Sequence, residues 1–222
     1  MSKQVNLHQH LEFSFLDGAA RPEEVASRAK ELGQEAACIT DHAEVSGHWA
    51  HQKACRAEGI HPLFGIEGYW VKDIAEAKGD GRRYPSEKVS HICLIAQTQK
   101  GLENIWALSS EAYGDKYRFH KPWADPELLR RYSEGVYAGD ACLMTTFAQD
   151  VIRGDEASAR QTMAMLAGIY GDRFYSELHT WGYMNPRDDD EIDWFGRKAT
   201  TAQANADMAA VNQAKVEIAN KM

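Results

Sequence analysis

The chain has 222 residues, 44% hydrophobic and 26% charged, the composition of a folded globular protein rather than a disordered or fibrous one. Its net charge is −8, from 25 Lys and Arg against 33 Asp and Glu, so it lacks the basic surface of a free-standing duplex-DNA binder. No apolar run reaches membrane-spanning length, and the opening MSKQVNLHQH has no apolar leader stretch. The four cysteines, Cys38, Cys55, Cys93 and Cys142, are widely spaced with no CxxC pair. That spacing argues against a disulfide scaffold or zinc finger and for a reducing, cytoplasmic compartment.

In chain order, short apolar runs predict strands at Val5–Leu7, Ala36–Ile39, Leu63–Ile66, Ile92–Ala96, Val136–Ala138 and Phe174–Leu178. Helical patterns lie between them. One starts at Pro22, carries Val25, Ala29 and Leu32 on one face and stops at Gly33. A second runs from Ser46 to Glu58 before Gly59. A third carries Leu102, Ile105, Trp106, Ser109 and Tyr113, and a fourth Ala159, Met163, Leu166 and Tyr170 before Gly171. The last carries Val211, Ala214, Ile218 and Met222. Lys72–Ser90 and Gly182–Asp193 read as loops, the second with a solvated acidic run from Asp188 to Glu191. This alternation predicts an α/β fold around a parallel sheet, open or closed into a barrel, with residues 1–222 as one domain. The final helix has no strand after it, so its partner strand is expected outside these residues.

Candidate chemistry gathers where strands end. His8 and His10 are two apart after Val5–Leu7, so an extended backbone turns both imidazoles to one side, as metal ligands or as ordinary structural residues. Thr40-Asp41-His42 follows an apolar strand, where parallel α/β folds place active sites; helix capping by Asp41 and a loop hydrogen bond from His42 are the alternatives. Glu67 closes the third strand, as a cap, a partner for a base or a bridge between metals. His91 leads into the fourth strand. Asp17 alone reads as a turn residue, and Cys142 alone as an inert core thiol. Together these imidazole, carboxylate and thiol groups suit zinc, manganese or iron, and a cluster of such ions suits phosphoester hydrolysis. Lys116, Tyr117, Arg118 and Lys121 interleave with Phe119 and Trp123, either as a contact for single-stranded DNA or as a loop whose aromatics pack locally.

The run from Leu7 to Gly18 (LHQHLEFSFLDG) resembles the opening motif of the PHP (polymerase and histidinol phosphatase) domain, in the form found in bacterial DNA polymerase III alpha subunits. Ala36 to His42 (AACITDH), Pro62 to Tyr69 (PLFGIEGY), His91 to Ala96 (HICLIA), Gly101 to Tyr113, Glu134 to Cys142 and Phe174 to Leu178 agree in order and spacing. The resemblance therefore covers nearly the whole chain. It implies a distorted β/α barrel, here lacking its last strand, with a metal site at the strands' carboxyl ends. It implies His8, His10, Asp17, His42, Glu67, His91 and Cys142 as ligands of two or three divalent ions, with Glu67 bridging and Asp17 and Glu67 serving the chemistry. Two further family ligands, an Asp and a His, are expected beyond residue 222, and His179 is expected in a supporting or solvent role. The implied activity is metal-dependent phosphodiester hydrolysis of the 3′→5′ exonuclease type on a single-stranded DNA 3′ end. The implied partner is the remainder of a polymerase chain or a downstream split-gene product, with no membrane involved. A non-catalytic scaffold fits less well with a ligand set intact up to Cys142. A small-molecule phosphatase fits less well with the polymerase-like stretches Gly101–Tyr113 and Glu134–Cys142.

Overall fold

The computed structural model describes residues 4–15, 17–81, 88–179, 192–194 and 197–221. Pro22 opens helix α1 (Pro22–Glu31), Glu24 accepts a hydrogen bond from the Arg21 backbone N–H at 2.8 Å, and Gly33 takes the left-handed conformation beyond its end. Then follow β1 (Ala36–Ile39), α2 (His48–Glu58), β2 (His61–Val71), α3 (Ile74–Gly79), β3 (Val89–Ala96), α4 (Gln99–Ala112), β4 (Arg118–Phe119), β5 (Lys121–Ala124) and α5 (Pro126–Arg131). The chain continues through β6 (Val136–Gly139), α6 (Thr146–Arg153), α7 (Glu156–Tyr170), β7 (Phe174–Tyr175), β8 (Ile192–Trp194), β9 (Arg197–Ala199) and α8 (Thr201–Ala219). Asp73, Thr98, Asp125, Thr145, Asp155 and Thr200 each cap the next helix by accepting from a first-turn backbone N–H.

Seven strands form one mixed sheet in the order β4-β5-β2-β3-β6-β7, with β1 also paired to β2. The pairs β1/β2, β2/β5 and β6/β7 are parallel. The pairs β2/β3, β3/β6 and β4/β5 are antiparallel. The α/β class is the expected one, but β3 runs against both neighbours. Its register explains this: Val89 pairs with Val71, so the connection returns the chain at the end of the sheet it has just left.

Four strands expected from the sequence differ. Leu63–Ile66 runs on as β2 and Ile92–Ala96 starts earlier as β3, so Glu67 and His91 stand inside paired strands rather than at strand ends. Val5–Leu7 forms no strand. Only Gln9 pairs, its N–H donating to Thr40 Oγ1 at 2.8 Å and its C=O accepting from the Thr40 N–H at 2.9 Å, and one exchange makes no ladder. Phe174–Leu178 narrows to Phe174–Tyr175, because the backbone beyond Tyr175 is held by side chains rather than by a neighbouring strand. The Lys72–Ser90 loop contains α3. Residues 82–87, the 182–191 stretch with its acidic run, and Met222 lie outside the described residues.

Register also decides which side chains face inward. Glu67 lies opposite Cys93, Tyr69 opposite His91, Cys93 opposite Gly139, and Gly139 opposite Tyr175, while His42 bridges to Glu67. Opposed residues share a face, so these form one inner surface. The alternate residues Ile66, Trp70, Ile92, Leu94 and Ala138 turn outward and make the main core with Ile105, Leu108, Leu128 and Leu166 of the helices. Phe147, Met163, Met208 and Val211 form a second core between α6, α7 and α8. Residues 8–10 close the inner side, Gln9 bonding Thr40 just past β1 and His8 reaching Glu177 just past β7. The sheet is thereby drawn round into a barrel-like form.

Candidate metal centre

The N-terminal segment is fixed by two polar residues. Asp41 Oδ1 accepts from the Leu11 N–H at 2.6 Å and from the Ser14 hydroxyl at 2.9 Å. Ser14 Oγ in turn accepts from the His42 N–H at 2.9 Å and lies 2.8 Å from His10 Nδ1. Asp41 thus ties the opening loop to the end of β1 rather than capping a helix. Gly18 lets the loop close, since a Cβ there would fall 1.9 Å from the Leu11 carbonyl oxygen. The closed loop brings Asp17 to the histidines. Ala43 and Ala141, which follow His42 and precede Cys142, both hold positive φ, a strain of about 1–3 kcal/mol each that marks the rim of the site.

Glu67 is the hub and is only 1% exposed. Its Oε1 lies 3.3 Å from His8 Nε2 and 3.1 Å from His91 Nδ1; its Oε2 lies 3.1 Å from His10 Nε2 and 2.9 Å from His42 Nδ1. Asp17 Oδ2 lies 2.9 Å from His42 Nε2 and 3.7 Å from His10 Nε2. Burial acts to raise the Glu67 carboxyl, but its contacts with His10, His42, His8 and His91 win and hold it well below the ordinary carboxylate value. Burial likewise opposes charge on His8, yet Glu177 and Glu67 push that ring up to about 10. His42 is raised against its burial by Glu67 and Asp17. Cys142 Sγ sits 3.4 Å from His91 Nδ1 and accepts from the Met144 N–H; burial and the Glu67 charge push its thiol well up.

The residues His8, His10, Asp17, His42, Glu67, His91 and Cys142, picked out in sequence, therefore meet in one place. Four sets of donor atoms, each within 4.8 Å, overlap there: His8, His10 and Glu67; His10, Asp17 and His42; His42, Glu67 and His91; His8, Cys93 and Glu177. Cys93 and Glu177 are the two that sequence reasoning passed over. Cys93 was legible only as an inward position of a strand, and Glu177 only as an acid within the expected strand Phe174–Leu178, which the structure ends at Tyr175. His179 stands apart from these sets, its Nε2 3.2 Å from the Ala141 carbonyl and its ring 6.4 Å from that of His8. In the 116–123 segment Tyr117 and Trp123 are 2% and 0% exposed, so the aromatics pack locally. The donor cluster opens into a cleft of about 1390 Å³ walled in part by Leu7, Tyr137, Tyr175 and Leu178.

The donor set fits divalent cations. Its imidazole nitrogens and carboxylate oxygens suit borderline metals. The buried His42 Nδ1 has no hydrogen-bond partner although Glu67 Oε2 is beside it, and buried Asp41 Oδ2 is also unpaired. A cation held at His42 and Glu67 would satisfy the His42 nitrogen; Asp41 belongs to none of the four donor sets.

Fold and site together define an α/β protein whose sheet carries a metal-type donor cluster on its inner face. The chain belongs to the PHP domain family, whose model matches residues 6–181. It is similar to the DNA polymerase III subunit alpha of Aquifex aeolicus, 36% identical over 182 residues, which cover 80% of this chain and 16% of that one. It is similar also to the subunit of the same name from Deinococcus radiodurans, 29% identical over 215 residues, covering 95% of this chain and 16% of that one. The chain thus spans 16% of the length of these curated relatives. Among solved structures, an amidohydrolase from Chromobacterium violaceum superposes with a TM-score of 0.40 at 16% identity, over 78% of this chain and 84% of that one. Among the described residues no helix is long and apolar enough to cross a membrane.

Proposed function

We propose that this chain is the metal-dependent phosphoesterase module of a DNA polymerase III alpha-type replicase, removing nucleotides from the 3′ end of single-stranded DNA. The observation that carries this reading is the convergence of His8, His10, His42 and His91 on the buried Glu67. These residues, with Asp17 and Cys142, would hold two or three ions of zinc, manganese or iron. Bound there, such ions polarise a phosphodiester and supply an acidic water near neutral pH. The chain's own groups do the rest. Asp17 and Glu67 hold anionic charge on two sides of the cluster, and Ser14 and Asp41 fix the backbone that carries His10 and His42. Phe15, 87% exposed on the loop between His10 and Asp17, offers a ring on which a terminal base stacks. A net charge of −8 suits a module that is handed a strand end rather than one that grips duplex DNA. In this reading residues 1–222 work in the cytoplasm with the rest of a polymerase chain or a split-gene product.

The test is nucleotide release from a 5′-labelled single strand with manganese or zinc added. Slow release from the 3′ end by the wild type, absent in Glu67→Gln, is expected. Equal release by both, or none by either, overturns the reading.

A further inference from the structure

Helix α8 carries a lysine on its apolar stripe. Ala204, Met208, Val211 and Ile218 are buried at helical spacing, and Lys215, 1% exposed, lies on the same stripe. Its Nζ donates to Asp140 Oδ1 at 3.0 Å and to the Glu177 backbone carbonyl at 2.7 Å. Asp140, 2% exposed, also accepts from the Glu177 N–H at 2.8 Å and from the Ser176 hydroxyl at 2.8 Å. Just before Lys215 on α8, Asn212 takes hold of His179: its Oδ1 accepts from the His179 N–H at 3.1 Å and its Nδ2 donates to the His179 carbonyl at 2.7 Å. The backbone on both sides of Glu177 is therefore clamped by side chains where a strand partner would ordinarily hold it.

The clamp aims one carboxylate. Glu177 Oε2 lies 2.7 Å from His8 Nδ1, closer than any imidazole nitrogen lies to Glu67, while His8 Nε2 faces Glu67. Gly139 supplies the space, since a Cβ there would come within 2.1 Å of Glu177 Oε1. An imidazole with a carboxylate on one nitrogen is fixed in tautomer and ring orientation, and its other nitrogen is left to serve as a ligand.

We propose that Glu177 is a positioning residue for His8, taking its Nδ1–H so that Nε2 presents a lone pair to the metal centre, and that Asn212 and Lys215 of α8 set where that carboxylate stands. This rests on the metal-centre reading above. It gives α8 a part in the site without contributing a ligand. It also accounts for a buried ion pair whose desolvation is expensive and whose removal in favour of apolar side chains is often neutral or stabilising.

The test is a double-mutant cycle on zinc affinity, read by competition with a chelating indicator on the purified full chain. Glu177→Ala is expected to weaken binding by about 10- to 100-fold, with the number of ions bound at saturation unchanged. In the His8→Ala background the same change should alter affinity by less than about twofold, because its target is gone. Asn212→Ala, which touches no donor atom, is expected to weaken binding several-fold and to lose that effect in the same background. Unchanged affinity in both Glu177→Ala and Asn212→Ala, or an equal Glu177→Ala loss with and without His8, overturns the proposal; the latter would make Glu177 a ligand. A wild-type chain that binds no zinc would instead overturn the metal-centre reading, and this inference with it.

Discussion

His42 Nδ1 stands 2.9 Å from Glu67 Oε2 with no directed hydrogen bond between them. Both atoms are buried, and a buried polar atom left unpaired costs about 1–3 kcal/mol. The same carboxylate faces three further imidazoles, so its lone pairs are fully contested. Glu67→Gln keeps the shape and removes the charge on which this cluster depends. Elemental analysis after mild dialysis is expected to find divalent metal near stoichiometry in the wild type and below about a tenth of that in the variant. Equal metal content in both would mean that the cluster is held by protons alone.

The pH dependence of the metal-free chain follows from two opposed shifts. His8 is raised from 6.5 to about 10, so its proton favours the fold: that contribution is whole below pH 6.5 and is lost as pH rises toward about 10. Glu67 is lowered from 4.5, so its contribution is whole above pH 4.5 and is lost as pH falls through its depressed value. Urea unfolding in the presence of a chelator should therefore show highest stability between these windows and a decline from pH 6.5 to 9.5. Metal must displace the His8 proton, so affinity should run the other way, rising by up to about tenfold per pH unit over the same range. Calorimetry in buffers of different ionisation enthalpy should register the released proton. Affinity that falls between pH 6.5 and 9.5 would contradict the assignment.

Lys215 and Asp140 form an ion pair with side chains 1% and 2% exposed. Lys215→Met leaves the Asp140 carboxylate buried and uncompensated, an expected loss of about 3–5 kcal/mol in urea unfolding. Replacing both, as Lys215→Met with Asp140→Asn, should recover part of that loss. A single variant within about 1 kcal/mol of wild type would show that the pair is not what anchors α8.

Two aromatic residues should part company in assays with single-stranded DNA. Phe15→Ala removes an exposed ring from the loop between His10 and Asp17 and is expected to raise KM by the worth of one stacked base, about 1–3 kcal/mol, with metal content unchanged. Trp123→Phe acts where the ring is fully buried and its indole N–H has no partner. It should leave DNA binding alone and change stability by no more than about 1 kcal/mol, since the lost contact is offset by removing an unsatisfied donor. A DNA-binding loss in the Trp123 variant would revive the 116–123 segment as a contact surface.

Much of this was legible locally. His8 and His10 share a side, both rings facing Glu67, as alternation along a strand would have it, although Val5–Leu7 forms no ladder and the backbone bends at His8. His42 read as a site residue because it follows an apolar strand; Glu67 stands inside β2 rather than at its end, and the bridge between them puts both on the inner row. Pro22, Gly33 and Gly59 marked helix boundaries by backbone preference alone. The direction of β3 was not legible, because it depends on which end of β2 the connection returns to, and alternation of apolar residues is the same in either direction. Nor was the role of Glu177. Its partner His8 lies 169 positions away, its room comes from the missing side chain of Gly139, and its backbone is held from α8 by Asn212 and Lys215. Residue type and spacing determined which groups this chain offers to a metal, since those are properties of neighbours along the backbone. Which carboxylate faces which ring was decided only by tertiary structure, because side-chain contacts fall off within a few ångströms and packing alone brings such distant residues that close.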